Sequence, residues 1–358
     1  LNQFIQAEKI TKDLNPTYGS IQKLHSRNSD LIALCEDKIL QIYANKDALF
    51  NADGNVNLTA SDRVLGDVRP FVGEYGISTN PESFASESYR SYFTDKSRGA
   101  VMRLSKDGLT PISEHGMRDF FRDTLNLKLP ALIGSYDQSK NAYNLSIPSV
   151  QSETIRIDLD GSSGDTPLRV ETTTPAYSGN TISFSEKNRG WTSFKSWVQE
   201  CGCSLNDKYF TFKGAEIYQH HFNETRNNFY GTQYESSVCL IFNDMPSSVK
   251  SFSSLSYEGS KSKIVQDLTD QEYYNNATVT GWYTDSITTD LETGFIPEFK
   301  DKEGKWFNYI HGDKENTLAN LDTSQFSTQG IGSPSGVNSD TAQVSNKIFT
   351  VSDRGDTP

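Results

Sequence analysis

Short runs of alternating apolar and polar residues, broken by polar or glycine-bearing turns, organise the first half of the chain. The segment Tyr92-Phe-Thr-Asp-Lys-Ser-Arg-Gly-Ala-Val-Met-Arg-Leu-Ser-Lys-Asp-Gly-Leu-Thr-Pro-Ile-Ser113 carries the pattern most fully. Tyr92 and Phe93 open a strand, Asp95 to Gly99 turn the chain, and Ala100 to Leu104 form a second strand. Lys106-Asp107-Gly108 turn it again, and Leu109 to Ile112 start a third. Gly108 suits that turn because glycine adopts positive φ without a Cβ penalty. Strands joined in this way make one blade of a β-propeller.

Related units flank it. Asp30 to Phe50 holds two apolar runs around Glu36-Asp37-Lys38, and Ala131 to Pro148 holds two more around the turn Asp137 to Asn141. A looser pair, Tyr209 to Phe212 and Ala215 to His220, is joined by Lys213-Gly214. Two short strands around a polar turn are a hairpin signal, and these templates give roughly four blade-like units. A closed propeller takes roughly four to eight. The expected fold is therefore mainly β, with propeller-type blades that fit an incomplete propeller, one short helix and inserted loops. The helix is expected over Gly116–Leu127, where Met117, Phe120, Phe121 and Leu125 recur at helical spacing.

This divides the chain into a polar lead-in (1–24), blades (25–150), an exposed Ser/Thr/Gly-rich insertion (151–180), further β blades or a platform (181–313), and a tail (314–358). The tail reads as a linker around Ser333 to Asp340, then a strand from Ala342 to Val351 that starts another domain. Leu1 in place of Met and the polar run at Arg354–Pro358 read as a fragment of a longer chain.

Composition narrows the function classes. With 34 basic against 46 acidic residues the net charge is −12, and no basic cluster interleaves with aromatics. A duplex-DNA reader needs such a patch to neutralise phosphates. An acidic surface instead suits solubility, or a wall that DNA slides past. No apolar stretch is long enough to span a membrane, and no signal-peptide core is visible at the start. Cys35, Cys201, Cys203 and Cys239 form no disulfide ladder. Cys35 and Cys239 lie in apolar runs and read as buried thiols in a reducing compartment.

Several groupings carry residue types suited to chemistry. Cys201-Gly-Cys203 with His220-His221 supplies four zinc-ligand types, but Cys-x-Cys is short for a tetrahedral knuckle. Asp158, Asp160 and Asp165 between Gly161 and Gly164 suggest calcium, yet the distal bidentate Glu of an EF-hand is missing. Asn51 to Asn55 reads as a turn. Glu258 and Glu303 beside aromatics suit a sugar-hydrolysing pair, with turn hydrogen bonding as the plainer reading. His25, His115 and His311 are scattered. Arg354-Gly-Asp356 is a chance-level tripeptide, and the sequons at Asn57, Asn144, Asn223 and Asn276 mean nothing without a secretory route. Trp191, Phe194 and Trp197 sit three apart, sharing a face in a helical turn or anchoring a loop on a sheet. Gly190, Gly231 and Gly259 are expected at tight turns, and Pro246 at a strand end. These readings leave no catalytic, cofactor-binding or metal residue to assign, and the expectation is a non-enzyme with no cofactor.

From Ile182 onward an ordered set of motifs carries a family resemblance. The set is Ile182-Ser-Phe-Ser-Glu-Lys-Asn-Arg-Gly-Trp-Thr-Ser-Phe-Lys-Ser-Trp197, Asn228-Phe-Tyr-Gly231, Phe242-Asn-Asp-Met-Pro-Ser-Ser-Val-Lys250, Leu255-Ser-Tyr-Glu-Gly-Ser260 and Lys302-Glu-Gly-Lys-Trp-Phe-Asn-Tyr-Ile310. Asn15 to His25 and Asn80 to Ala85 extend it towards the start. The set resembles tail nozzle or muzzle structural proteins of tailed bacteriophages, especially the muzzle of crAss-like phages. The resemblance implies a virion protein of the phage tail that forms a homo-oligomer, six-fold, around a DNA ejection channel. It implies contacts with other tail and portal-proximal proteins, DNA passing the lumen without specific binding, no membrane span and no catalysis. Two other readings are a carbohydrate-binding propeller for host attachment, through Trp and Tyr stacking, and a propeller hydrolase with a metal in its channel.

Overall fold

Four small antiparallel sheets of three or four strands follow one another over residues 21–219, and their order explains why so many short strands there are buried. The computed structural model describes residues 11–27, 30–50, 56–127, 129–159, 168–174, 176–289 and 293–312. The chain divides between Cys239 and Leu240 into two units. In the first, strands β1 (Ile21–Arg27), β2 (Asp30–Cys35), β3 (Ile39–Phe50) and β4 (Val56–Pro70) pair in sequence order. So do β5 (Ala85–Ser86), β6 (Ser91–Asp95), β7 (Ala100–Ser105) and β8 (Gly108–Pro111). Helix α1 (Arg118–Leu125) comes next.

The third sheet has β9 (Ile133–Asp137) and β10 (Ala142–Ile147) interrupted by a separate hairpin, β11 (Glu153–Leu159) with β12 (Leu168–Thr174). It resumes with β13 (Asn180–Ser185) and β14 (Gly190–Lys195), in the order β14-β13-β10-β9. This hairpin lies in the sequence between β10 and β13, two strands that pair with each other. The fourth sheet is β15 (Cys201–Leu205), β16 (Lys208–Lys213) and β17 (Glu216–Gln219). A two-stranded pair, β18 (Asn228–Phe229) and β19 (Thr232–Gln233), ends the unit.

Alternation along β7 shows how successive sheets share a core. Ala100, Met102 and Leu104 join Phe93 and, from the first sheet, Ile32, Leu34 and Ile39. Val101 points the other way, to the cluster that holds Tyr92 with Tyr143, Leu145, Ile182 and Phe184 of the third sheet. Side chains alternate faces along a strand, so one strand feeds both interfaces. A residue such as Met102, at 0% exposure, contributes about 2 kcal/mol by burial. Phe121 and Leu125 of α1 complete the second of these clusters.

The unit is thus mainly β, as the turn pattern predicts. The strand–turn–strand runs at Tyr92–Ser113, Asp30–Phe50, Ala131–Pro148 and Tyr209–His220 all form hairpins. No closed barrel or closed propeller forms among the described residues. Strands in the second unit are short: β20 (Ser254–Tyr257), β21 (Ile287–Thr288), β22 (Thr293–Phe295), β23 (Lys300–Lys302), β24 (Lys305–Tyr309) and β25 (His311–Gly312). They form two three-stranded sheets, β20-β24-β23 and β21-β22-β25. Between β19 and β20 no strand occurs among the described residues, despite the aromatic-rich sequence.

One polar residue ties the second sheet to the third. Asn80 precedes a 3-10 turn, and its side chain copies a backbone pairing: Leu132 N donates to its Oδ1 at 2.8 Å, and its Nδ2 donates to Leu132 O at 2.9 Å. Tyr143 Oη donates to Ser83 O at 2.8 Å beside it. Gly134 permits this approach, since a Cβ there would lie 1.9 Å from Ser83 O. Removing the amide leaves a buried N–H and C=O unpaired, at about 1–3 kcal/mol per orphaned group. Asn80→Ala is therefore expected to lower thermal stability by about 2 kcal/mol or more, read as a drop in Tm. An unchanged Tm would show the tie to be dispensable.

Candidate functional site

The turn after β9 brings an acid into the interior. Asp137 is 0% exposed. Its Oδ1 accepts from Ser139 Oγ at 2.7 Å and Lys140 N at 3.2 Å, while Oδ2 meets His221 Nε2 at 2.7 Å. The turn after β6 repeats the device. Asp95, also 0% exposed, accepts from Arg98 N at 3.1 Å, Gly76 N at 3.0 Å, Ser78 Oγ at 3.0 Å and Arg98 Nη1 at 3.0 Å. Both turns read Asp-x-Ser-basic-x-Ala and reach their left-handed residue at the fifth position, Gly99 at φ 63° and Asn141 at φ 50°. A carboxylate that accepts several N–H and O–H groups stabilises a turn whose own amides lack partners. Local pattern marks these residues as turn formers alone; the signal for the buried acids is the repeat Asp95-Lys-Ser-Arg-Gly-Ala100 and Asp137-Gln-Ser-Lys-Asn-Ala142.

The interface between the third and fourth sheets is polar where the earlier ones are apolar. Ser135, Asn144, Thr181 and Ser183 are all buried on it. Ser135 Oγ meets Tyr209 Oη at 2.7 Å, Tyr209 Oη donates to Gln199 Oε1 at 3.0 Å, and Gln199 Nε2 donates to Ser135 Oγ at 2.7 Å. β15 lies against β9 because Gly202 has no side chain: a Cβ there would meet Gln199 Oε1 at 2.3 Å and Ser135 Cβ at 2.9 Å. Trp197, 2% exposed, forms the floor, with the His220 ring 4.8 Å away. Thr211 Oγ1 binds His220 Nε2 at 2.6 Å and Tyr230 Oη at 2.8 Å.

Two bases in this joint are pushed toward neutrality. Burial, with the neighbouring charges of His221 and Lys195 acting the same way and Asp137 opposing, lowers His220 to about 4. Burial, helped by Lys140 and opposed by Asp137, lowers Lys195 to about 8. Lys195 Nζ donates to Asn144 Oδ1 at 3.1 Å and sits 5.5 Å from the Trp197 ring centre. Ser183 Oγ donates to the same Oδ1 at 2.6 Å. The acid, amide and amine stand on one face of one sheet, as the register pairs Asp137 with Ala142 and Asn144 with Ser135 and Ser183.

The groupings expected from sequence are dispersed. Cys201 and Cys203 are exposed and point away from the joint that Gly202 enters, while His220 and His221 bind Thr211 and Asp137. No cluster of three metal-ligating residues occurs among the described residues. Cys35 is buried as expected, but Cys239 is exposed, because the apolar run around it forms no strand. Asp160, Asp165, Asn51 to Asn55 and Arg354-Gly-Asp356 lie outside the described residues; Asp158 lies in β11 opposite Arg169. Glu258 pairs with Lys305 at 3.0 Å on the surface, and Glu303 occupies a left-handed turn at φ 57°. His25 packs on Phe84, His115 on Phe184 and His311 on Phe295.

Trp191, Phe194 and Trp197 share no helical face: Trp191 packs on Phe121, Phe194 is 55% exposed beside Phe120, and Trp197 enters the polar joint. Gly231 takes φ 77°, as a tight turn requires, whereas at the earlier turn Arg189 takes the left-handed position instead of Gly190. Pro246 ends no strand. It follows Met245 in a turn that Lys250 Nζ pins through Met245 O at 2.8 Å and Ser248 O at 3.2 Å. Asn144, one of the sequon asparagines, is 0% exposed and closed to a glycan.

Residues 224–313 match the family described as Crassvirus muzzle protein C-terminal domain. The motifs Asn228–Gly231, Phe242–Lys250, Leu255–Ser260 and Lys302–Ile310 all fall inside that match. It supports the resemblance to the muzzle proteins of crAss-like phages. No curated protein matches the chain.

His220 gives the joint a pH response. Its value in the folded chain lies below the ordinary 6.5, so the unfolded chain binds the proton more tightly. The stability that neutral His220 contributes is present above pH 6.5 and is lost as pH falls through about 4. Trp197 fluorescence is expected to change over that window, and His220→Gln is expected to flatten the change. An identical acid profile in the variant would place the response elsewhere.

Proposed function

We propose that this chain is a structural subunit of the tail muzzle of a crAss-like phage, acting mechanically rather than by catalysis. The match over residues 224–313 carries the reading. The muzzle is a component of the virion tail, and none of the described helices is long and apolar enough to cross a membrane. A subunit there assembles with other virion proteins.

The finer reading builds on the stacked sheets. The consecutive meanders are blades of a propeller that this chain leaves open, in the division 25–150 and 181–313. Copies of the subunit surround the DNA channel as a tube of six-fold symmetry next to other tail and portal-proximal proteins. The excess of 46 acidic over 34 basic residues supports a wall that repels phosphate and lets DNA pass unbound. Two-sided burial supports a stiff wall, since packed interiors transmit strain with little compression.

Carbohydrate binding is the second reading, favoured by the exposed Trp282 and Tyr283 of the second unit, at 49% and 50% exposure. Against it, the large aromatics Tyr92, Phe93, Tyr143, Phe184, Trp197 and Tyr209 are buried between sheets, where no sugar reaches. The hydrolase reading needs acids converging on a channel, and the two buried acids at strand ends, Asp95 and Asp137, are engaged in closing turns.

Purified particles decide between them. The chain is expected in a ring with tail components, its channel-facing residues mostly acidic or neutral. A stable monomer absent from particles would sink the muzzle role, and a channel lined mainly by Lys and Arg would sink the sliding-wall mechanism. Specific glycan retention by the free chain, lost in Trp282→Ala, would establish the second reading instead.

A further inference from the structure

The polar joint holds an amine, a carboxamide and a buried carboxyl on one sheet face, more than packing requires. Asn144 is 0% exposed in the middle of β10. Its Oδ1 accepts from both Lys195 Nζ and Ser183 Oγ, which fixes the end of the amide that faces the lysine. Two donors on that oxygen also draw electrons from Cγ, as donors on any reacting carbonyl do. The opposite end, Nδ2, lies near the Tyr209 phenol but completes no hydrogen bond among the described residues.

We propose that Lys195 and Asn144 form an intramolecular isopeptide bond, with Asp137 relaying the proton. The neutral Nζ attacks Cγ of Asn144, so a C–N bond forms while the Cγ–Nδ2 bond breaks. Asp137 takes the proton released from Nζ and delivers it to Nδ2, which departs as ammonia. The products are one secondary amide and one ammonia, with no change of oxidation state and no added reagent. The hydrogen bond of 3.1 Å from Nζ to Oδ1 holds the amine against the carboxamide whose carbon it attacks, so the two reacting groups need no diffusive encounter.

The surroundings favour each step. Burial gives Lys195 a neutral fraction at ordinary pH that a solvated lysine lacks. Trp197 and Tyr209 cover the site, and a site with little water favours aminolysis over hydrolysis of the amide. His221 holds Asp137 at 2.7 Å with its own side chain 38% exposed, which gives the carboxyl a proton path to solvent. The bond would bridge β10 and β14 across β13, locking three strands that hydrogen bonds alone otherwise join. The inference stands on this sheet and does not depend on the muzzle reading.

Intact mass of the denatured full chain tests it directly. After incubation above the pH at which Lys195 loses its proton, about 8, the chain is expected to weigh one ammonia less than its sequence. Digestion should yield a branched peptide joining Lys195 to Asn144. Lys195→Arg and Asp137→Asn should each keep the full mass, with Trp197 fluorescence reporting that they remain folded. Recovery of unmodified Lys195 and Asn144 peptides from the incubated chain would overturn the proposal. So would ammonia loss without the branch, which is what simple asparagine cyclisation produces. A branch forming as fast in folded Asp137→Asn as in the parent would remove Asp137 from the mechanism.

Discussion

Burial of single short strands on both faces is the constraint on which the rest of the first unit depends. β7 sends Ala100, Met102 and Leu104 to one sheet and Val101 to another, and β6 divides Phe93 and Tyr92 in the same way. A strand of five or six residues has no surface left for solvent once both faces are taken. Its ends then become the difficult points. The chain turns at the margin of the stack, with Ser97, Arg98, Ser139 and Lys140 exposed, and the first amides of each turn need an acceptor on its buried side. Asp95 and Asp137 answer that need from within, which explains why two carboxylates at 0% exposure sit at strand ends. Their charge is offset by a dense set of donors rather than by a single ion pair.

The interfaces between sheets differ in kind. The first two are hydrocarbon and aromatic contacts, tolerant of small shifts because dispersion has little directionality. The third is a hydrogen-bonded network of Ser135, Gln199, Tyr209, Thr211 and His220, where each group has a particular partner. Such a network gives register and uniqueness to an interface, at the risk that any unpaired member costs stability. Between the second and third sheets an ionic group stands at the edge: Tyr92 Oη donates to Glu186 at 2.7 Å, and Arg103 meets the same carboxylate at 3.0 Å.

The second unit is organised otherwise. Its strands run two to five residues, and Ile241, Phe242, Met245 and Val249 stand more than half exposed in one stretch. That stretch lies inside the match to the muzzle domain family. Subunits of an assembled particle commonly keep apolar surface that only neighbours cover, and this unit has more of it than its small sheets can use.

The hairpins of the first unit were legible in the sequence because they are local. Period-two alternation and turn residues lie within about a dozen positions of each other, and α1 announced itself through Phe121 and Leu125. The same local reading left Trp191, Phe194 and Trp197 open between one helical face and a loop anchored on a sheet, and a strand with different neighbours on each side separated them. It put Cys239 in a buried strand, but an apolar run without paired backbone stays exposed. The joint was beyond local reading. His221 reaches Asp137 across 84 positions, and Gly202 mattered for the Ser135 it approaches rather than for the cysteines beside it. Sequence alone determined where the chain turns and which stretches extend, since those depend on φ/ψ preference and short-range periodicity. Only tertiary structure decided which polar groups meet, because that depends on sheets stacked by burial, a force with no memory of sequence distance.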